Sequence, residues 1–380
     1  MDDFRTHLAY LHRQIHVTRE AIRRFAERDL RGVRIVFSIH LDIKVVPVVE
    51  AVVRTGAQTV VLTCNPLTVR DEVVRYLAAV GAQVDARYGM SERQRLDAVD
   101  RAIAQSPQFI CEMGGDVQHR LVTVYPEAAS VVRAGMEATG TGILRLQGLS
   151  LPFPVFNWDD LPLKQGLHNR YLVGLTVWNT FLEVARVTLY GKRVLVVGYG
   201  LVGEGIAAYA RRLGAVPLVA DPDPARQIFA RHNGCVVTTI EEALPQAEIV
   251  VTATGRERVV REEHFPLLRE GAFLLNAGHS SREIDVDALR RCPLRSVRPH
   301  LEEIEIGDRR IYLLAQGAMF NLAAGPGDPY DAFDVTSALM LEGIGYMLDH
   351  HAEHPPGVQL MPTVVERSVA AMAAFPWTTA

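Results

Sequence analysis

The sequence predicts an α/β protein made of two doubly wound parallel-sheet domains. Three observations carry that prediction. Short runs rich in Val, Ile and Leu alternate with helical patterns, first over residues 33–112 and again from Arg193 onward. A Pro-punctuated stretch (Pro152, Pro154, Pro162) and a long helical pattern separate the two series. The chain has 380 residues, 48% apolar and 22% charged, enough to bury more than one core.

The elements follow in order. Residues 5–28 carry Leu8, Leu11, Ile15 and Ile22 at helical spacings and predict a helix. Residues 33–39 read as a buried strand, Val45 to Arg54 as a helix ended by Gly56, and residues 59–63 as a second strand. Asp71 to Val80 reads as a helix, Gln83-Val84 as a short third strand, and residues 108–112 as a fourth strand followed by Gly114-Gly115. The stretch 148–163 is too rich in proline for a regular element and predicts a loop. A helix is expected from Asn169 to Leu189, then a turn at Gly191-Lys192 and a new strand at Arg193. The domain boundary is expected near 165–190. Ligands in such sheets bind beyond the carboxyl ends of the strands, so a cleft between the two domains is the expected site.

Composition narrows the partners. A net charge of −4 gives no general pull towards nucleic acid or an anionic membrane. The N-terminus, Met1-Asp2-Asp3-Phe4, lacks the apolar core of a signal peptide, and no run approaches the ~20 apolar residues of a membrane span. Cys64, Cys111, Cys235 and Cys292 have no CxxC spacing and read as reduced thiols of a cytoplasmic protein. His350, His351 and His354 read as a solvated surface cluster, and no metal site is expected. The lysines are Lys44, Lys164 and Lys192; almost all other positive charge is arginine.

The most informative motif is Gly198-Tyr199-Gly200-Leu201-Val202-Gly203. The apolar strand 193–197 enters it, and a helical pattern from Gly205 to Leu213 leaves it. The glycines serve a tight turn, close approach of the backbone to a pyrophosphate, and close helix–strand packing. The helix N-terminus then faces the phosphates. A second strand ends at Asp221, 23 residues after Gly198, where an acid binds the adenosine ribose hydroxyls and repels a 2′-phosphate. The motif therefore predicts a Rossmann domain that binds NAD. Two further strand ends, at Thr254 and Asn276, are expected to line the nicotinamide side.

Beyond this turn the chain resembles the adenosylhomocysteinase (S-adenosylhomocysteine hydrolase) family over roughly residues 31–345. The matching segments are Gly191 through Gly205, Asn276-Ala277-Gly278-His279 with Glu283-Ile284-Asp285, and residues 313–317 with Asn321-Leu322. His40, Cys64-Asn65, Gly114-Gly115-Asp116, Asn157 with Asp160, and Lys164 with Asn169 extend the match. The resemblance implies a substrate domain over 1–168, a Rossmann NAD domain over 169–326 inserted into it, and a return over 327–380. It implies a homo-oligomer, dimer or tetramer, acting on a nucleoside-type substrate. In the family's chemistry NAD is a recycled catalyst: the ribose 3′-hydroxyl is oxidised, the C4′ proton leaves, the 5′ group is eliminated, and the ketone is reduced again.

Carried over by position, Lys164 and Asn169 stand beside the 3′-hydroxyl and His40 near the 5′ position, with His279 at the domain cleft. Thr139 and Thr141 match part of a threonine run that contacts the cofactor, and Asn321 joins the cofactor set. Asn65 is expected on the substrate side. The departures are specific. Met113 and Ala138 stand where the family has an aspartate and a glutamate. His168 stands where it has an aspartate, and Asp328 where it has the histidine of Gly-His-Pro. The family's C-terminal tail has no counterpart after Phe375. His168 is therefore a further candidate base, and Met113, Ala138 and Asp328 mark an altered substrate pocket. The expected activity is a nucleoside dehydratase or lyase giving a 4′,5′-unsaturated nucleoside. A genuine S-adenosylhomocysteine hydrolase, a dehydrogenase releasing a keto-nucleoside and a catalytically silent NAD-binding subunit stay open.

Overall fold

Each apolar run of the two βα series forms a strand in the computed structural model, which describes residues 2–374. The first series holds β1 (Arg34–Ile39), β2 (Gln58–Thr63), β3 (Gln83–Val84), β4 (Phe109–Glu112), β5 (Ala134–Glu137) and β6 (Pro154–Asn157). The second holds β7 (Arg193–Val197), β8 (Val216–Ala220), β9 (Val236–Val237), β10 (Ile249–Thr252) and β11 (Phe273–Asn276). It continues with β12 (Leu294–Arg298), β13 (Leu301–Ile306) and β14 (Arg309–Leu314), which the patterning did not show. A last strand, β15 (Gly357–Leu360), follows the long helix Tyr330–His350.

The chain divides into two units. One holds the described residues up to Lys164 and those from Pro329 onward; the other is Gln165–Asp328. The first unit's sheet runs β15-β6-β5-β4-β1-β2-β3, every pair parallel. The chain winds outward from β1 to β3, then returns through β4 on the other side. The second sheet runs β12-β13-β14-β11-β10-β7-β8-β9 and repeats that logic, outward from β7 and back through β10. Its far edge departs from the expected parallel sheet, because β12, β13 and β14 are antiparallel. Each sheet thus has a switch point, β1/β4 in the first and β7/β10 in the second, and the carboxyl ends there are where ligands bind.

Four local expectations change. The N-terminal helix is two helices, Asp2–Gln14 and His16–Phe25, broken at Ile15. The buried carboxylate of Asp334 accepts the N–H groups of Val17 and Thr18 at 2.9 and 2.7 Å, and so caps the second helix. The Pro-rich stretch contains the buried strand β6, with Pro154 at its first position, where a strand tolerates a missing N–H. The helix expected from Asn169 begins at Lys164 as a π-helix (Lys164–Leu172) and continues as the α-helix Val173–Ala185. The helix after the glycine turn starts at Leu201, not Gly205. Gly205 is there for packing: a Cβ would stand 1.6 Å from the carbonyl oxygen of Arg170.

The histidine cluster is only partly solvated: the His350 side chain is 42% exposed, while the other two pack inward. His351 packs edge-on to Phe109 and His354 edge-on to Phe156, with ring centroids 5.2 and 4.9 Å apart. Among the described residues no three His, Cys, Asp or Glu side chains converge as metal ligands, and no helix is long and apolar enough to cross a membrane. The segment from Phe375 onward lies outside the described residues.

Candidate active site

In the first unit, His40 follows β1 and is buried. Its Nδ1 is 2.9 Å from Thr68 Oγ1, and that hydroxyl donates its single proton to the carbonyl of Asn65 at 2.8 Å. The His40 bond must therefore be donated by Nδ1–H, which puts the lone pair of the neutral ring on Nε2. Asn65 is buried and serves the same turn, its Oδ1 accepting the N–H of Leu67 at 3.1 Å. No sequence motif marked Thr68.

Lys164 is buried, with Nζ 2.8 Å from Asp159 Oδ1 and 5.8 Å from the Trp158 ring centroid. Its neighbouring charge is an anion. Asn157 Nδ2 donates to Asp160 Oδ2 at 2.6 Å, so that motif pair is a real contact.

Glu137, at the end of β5, holds two loops together. It accepts the N–H groups of Gly114 and Gly115 at 2.9 Å each, and the N–H and hydroxyl of Thr139 at 2.8 and 2.6 Å. A Cβ on Gly142 would stand 2.2 Å from its carboxyl carbon, which explains that glycine. Burial pushes the Glu137 carboxyl up, and the charge of Glu112 adds to this. Glu112, at the end of β4, accepts the N–H groups of Val117 and Gln118, and burial pushes its carboxyl up to about 7. The loops so held carry Met113, packed against the apolar core, and Ala138, which is buried. Asp116 is paired with Arg95 and Arg145. The Thr139 hydroxyl also caps the helix Gly140–Leu146, in which Thr141 stands. Thr139 and Thr141 thus belong to the first unit, and the other cofactor candidates to the second.

In the second unit the glycine turn follows β7. Gly198 has φ +93°, and a Cβ there would lie 2.7 Å from the Ala253 carbonyl oxygen. On Gly203 it would lie 1.9 Å from the Gly198 carbonyl oxygen, so neither position admits a side chain. Gly200 differs: a Cβ would meet only Arg226 Nη1, at 3.9 Å. Open space thus faces the backbone at the N-terminus of the helix Leu201–Arg212, whose first turn holds Leu201 and Val202. An open helix N-terminus of this kind could hold a phosphate. Asp221, at the end of β8, accepts the N–H of Tyr199 at 2.6 Å and pairs with Arg226 at 3.5 Å.

The loops after β10 and β11 are fastened by Glu283. This buried carboxylate accepts the N–H groups of Thr254 and Gly255 at 2.8 Å each and the Thr254 hydroxyl at 2.9 Å. The side-chain amide of Asn276 is bonded within the protein: Oδ1 accepts from Gly278 N–H and the Thr252 hydroxyl, and Nδ2 donates to the carbonyls of Ser280 and Gly317. Asn276 therefore shapes the loop bearing His279. Asn321 donates through Nδ2 to Thr176 Oγ1 at 3.0 Å, and Thr176 passes its proton to the Leu172 carbonyl at 3.0 Å. Asn321 Oδ1 is then a buried acceptor without a hydrogen-bond partner among the described residues, suited to a carboxamide N–H. The cradle at Gly200, Asp221 and this acceptor fit a nicotinamide dinucleotide. His168, on the π-helix beside Asn169, has Nδ1 3.3 Å from Asp328 Oδ2.

The sequence matches two family models, "S-adenosyl-L-homocysteine hydrolase" over residues 14–143 and "S-adenosyl-L-homocysteine hydrolase, NAD binding domain" over residues 170–327. The chain belongs to the S-adenosyl-L-homocysteine hydrolase family. Relatives within it include the S-inosyl-L-homocysteine hydrolase of Methanopyrus kandleri, 35% identical over 90% of this chain and 83% of the relative. The adenosylhomocysteinase of Pyrococcus abyssi is 34% identical over 93% of this chain and 85% of the relative. The S-inosyl-L-homocysteine hydrolase of Methanosarcina acetivorans is 32% identical over 90% and 85%. This member of the S-adenosyl-L-homocysteine hydrolase family is thus an NAD-binding enzyme.

Within that family frame, several residues escaped the sequence reading. Glu137 bears no motif of its own, and Glu283 entered only as part of a matched segment with no role; their signal was Gly142 and Gly278, where a Cβ would collide with their carboxyl groups. Asp159 and Thr68 act on Lys164 and His40 across short loops whose path no periodicity predicts.

Proposed function

We propose that this enzyme is a nucleoside dehydratase that yields a 4′,5′-unsaturated nucleoside. The observation that carries the reading is the pair Met113 and Ala138. The two loops fastened by Glu137 present apolar side chains there, so neither position holds a group that could bind or activate water. A small 5′ leaving group and no re-addition of water suit that loss of polar groups.

Bound NAD supplies two-electron oxidation of the ribose 3′-hydroxyl and its reversal after elimination. Gly198, Gly200 and Gly203 hold it at the turn, with Asp221 and Asn321. Lys164, oriented by Asp159, carries the 3′-hydroxyl proton, and Asn169 orients that hydroxyl. His168, held by Asp328, removes the C4′ proton made acidic by the neighbouring ketone. As the 5′ C–O bond breaks, protonated His40 gives its Nε2 proton to the departing oxygen and keeps the Nδ1 proton on Thr68. Water leaves, and the C4′–C5′ double bond remains.

A second reading has its own support. The relatives carry the names of homocysteine-nucleoside hydrolases, which favours a 5′-thioether substrate with water adding back. Mass spectrometry after incubation of the NAD-loaded enzyme decides between them. Loss of one water from a free nucleoside supports the dehydratase. Release of thiol from a nucleosyl-homocysteine, with no loss of water from free nucleosides, overturns it.

A further inference from the structure

Lys44 takes no part in the chemistry above, yet it is one of three lysines in the chain and is buried. It lies on the loop after β1, four residues beyond His40, at the switch point of the first sheet. Its Nζ is 2.7 Å from Asp42 Oδ2 and 5.8 Å from the Phe333 ring centroid. Asp42 Oδ1 accepts the N–H of Lys44 at 2.8 Å, which folds the loop so that an ammonium and a carboxylate stand side by side. Side-chain exposures of 4% and 16% mean that both groups have lost most of their water. A buried ion pair is a poor stabiliser compared with apolar side chains of similar volume. Packing therefore gives weak grounds for one at the carboxyl end of this strand, where α/β sheets take ligands.

We propose that Asp42 and Lys44 form a nucleobase subsite that selects a 6-oxopurine. The inference rests on the reading that the substrate is a nucleoside. A 6-oxopurine presents an acceptor, O6, next to a donor, N1–H. Lys44 donates to O6 and the Asp42 carboxylate accepts from N1–H. Adenine reverses both groups: its 6-amino group meets the ammonium with hydrogens, and its N1 meets the carboxylate with a lone pair. The two classes of base are thereby separated by matched against opposed pairs. The relatives' names include both adenosyl and inosyl enzymes, so family membership leaves this choice to the subsite.

Calorimetric binding of inosine and adenosine to the full-length NAD-loaded enzyme tests this. Inosine should bind at least ~tenfold tighter than adenosine. The double variant Asp42→Asn/Lys44→Met removes both charges together and so leaves neither one buried without its partner. Its preference should fall below ~threefold with the melting temperature checked in parallel. Adenosine binding as tightly as inosine in the wild type overturns the inference, whether or not the variant folds. So does an inosine preference that survives in a folded variant. The near-ultraviolet band of reduced nicotinamide, read on the same samples, separates the two claims. Inosine preferred without that band sinks the oxidation reading and keeps the subsite. Adenosine preferred with the band sinks the subsite and keeps the oxidation reading.

Discussion

His168 Nδ1 faces Asp328 Oδ2 at 3.3 Å, and the two side chains are 16% and 3% exposed. The family resemblance has aspartate at the first of these positions and histidine at the second. Changing either one without the other would set two carboxylates or two imidazoles against each other. This chain differs at both positions, and here an imidazole stands against a carboxylate. Two departures distant in the sequence thus meet in one pair. In it the imidazole stands on the π-helix with Asn169.

Asp328→Asn should lower kcat about tenfold to a hundredfold, as losses of a group that orients an imidazole do. Nucleoside affinity should change less than ~threefold if Asp328 acts through His168 and not on the substrate. The exchanged double variant, His168→Asp/Asp328→His, should be less impaired than the product of the two single losses. Strict multiplicativity of the single effects would show that the two residues act independently.

Lys164→Ala should reduce the rate by at least about a hundredfold if its amine takes the 3′-hydroxyl proton. Asp159→Asn keeps the lysine and loosens its hold, so a smaller loss, about tenfold, is expected. Pre-steady-state absorbance of reduced cofactor reads the oxidation step directly. A loss under ~threefold for Lys164→Ala would refute the role.

Gly200 and Gly203 should respond differently to alanine. At Gly203 the new Cβ would overlap the Gly198 carbonyl oxygen, at 1.9 Å, so the turn must distort and the apoprotein should melt earlier. At Gly200 nothing but the end of Arg226 comes within 4 Å, so the apoprotein should melt as the wild type does. NAD affinity should nevertheless fall about tenfold or more, since the methyl group fills space the pyrophosphate needs. Thermal melts with and without NAD separate the cases. Unchanged affinity for Gly200→Ala would mean that the cradle lies elsewhere.

The glycine turn was legible because each of its residues answers a local backbone demand, and Asp221 because strand length fixes its distance from that turn. The switch-point strands were legible from apolar runs with no polar alternation, the mark of a sheet covered on both faces. β12 escaped because it is an exposed edge strand, Leu294 to Arg298, with no buried face to pattern it. β6 escaped because proline is a strand breaker everywhere except positions such as the one Pro154 takes. Among the candidate site residues, Thr139 and Thr254 each stand in a loop fastened by a buried glutamate, Glu137 and Glu283. Pairs formed across long separations could not be located from sequence, since His168 and Asp328 are brought together only by the fold of the second unit.

The buried carboxyl of Glu112 gives a prediction about stability. Its ordinary value is 4.5, and burial raises it to about 7 in the folded protein, where it faces the N–H groups of Val117 and Gln118. The folded state therefore binds a proton that the unfolded chain has already released. Stability from this group is fully present below the unfolded value and is lost as pH rises through the folded one. The wild type should weaken between about pH 5 and about pH 8 relative to Glu112→Gln, which cannot ionise, by up to roughly 3 kcal/mol. The variant bears a constant cost of its own, because its amide nitrogen replaces one acceptor. The test is therefore the change with pH in the difference between the two urea midpoints. A difference that stays flat across this range would mean that Glu112 ionises in the folded protein as it does in the unfolded chain.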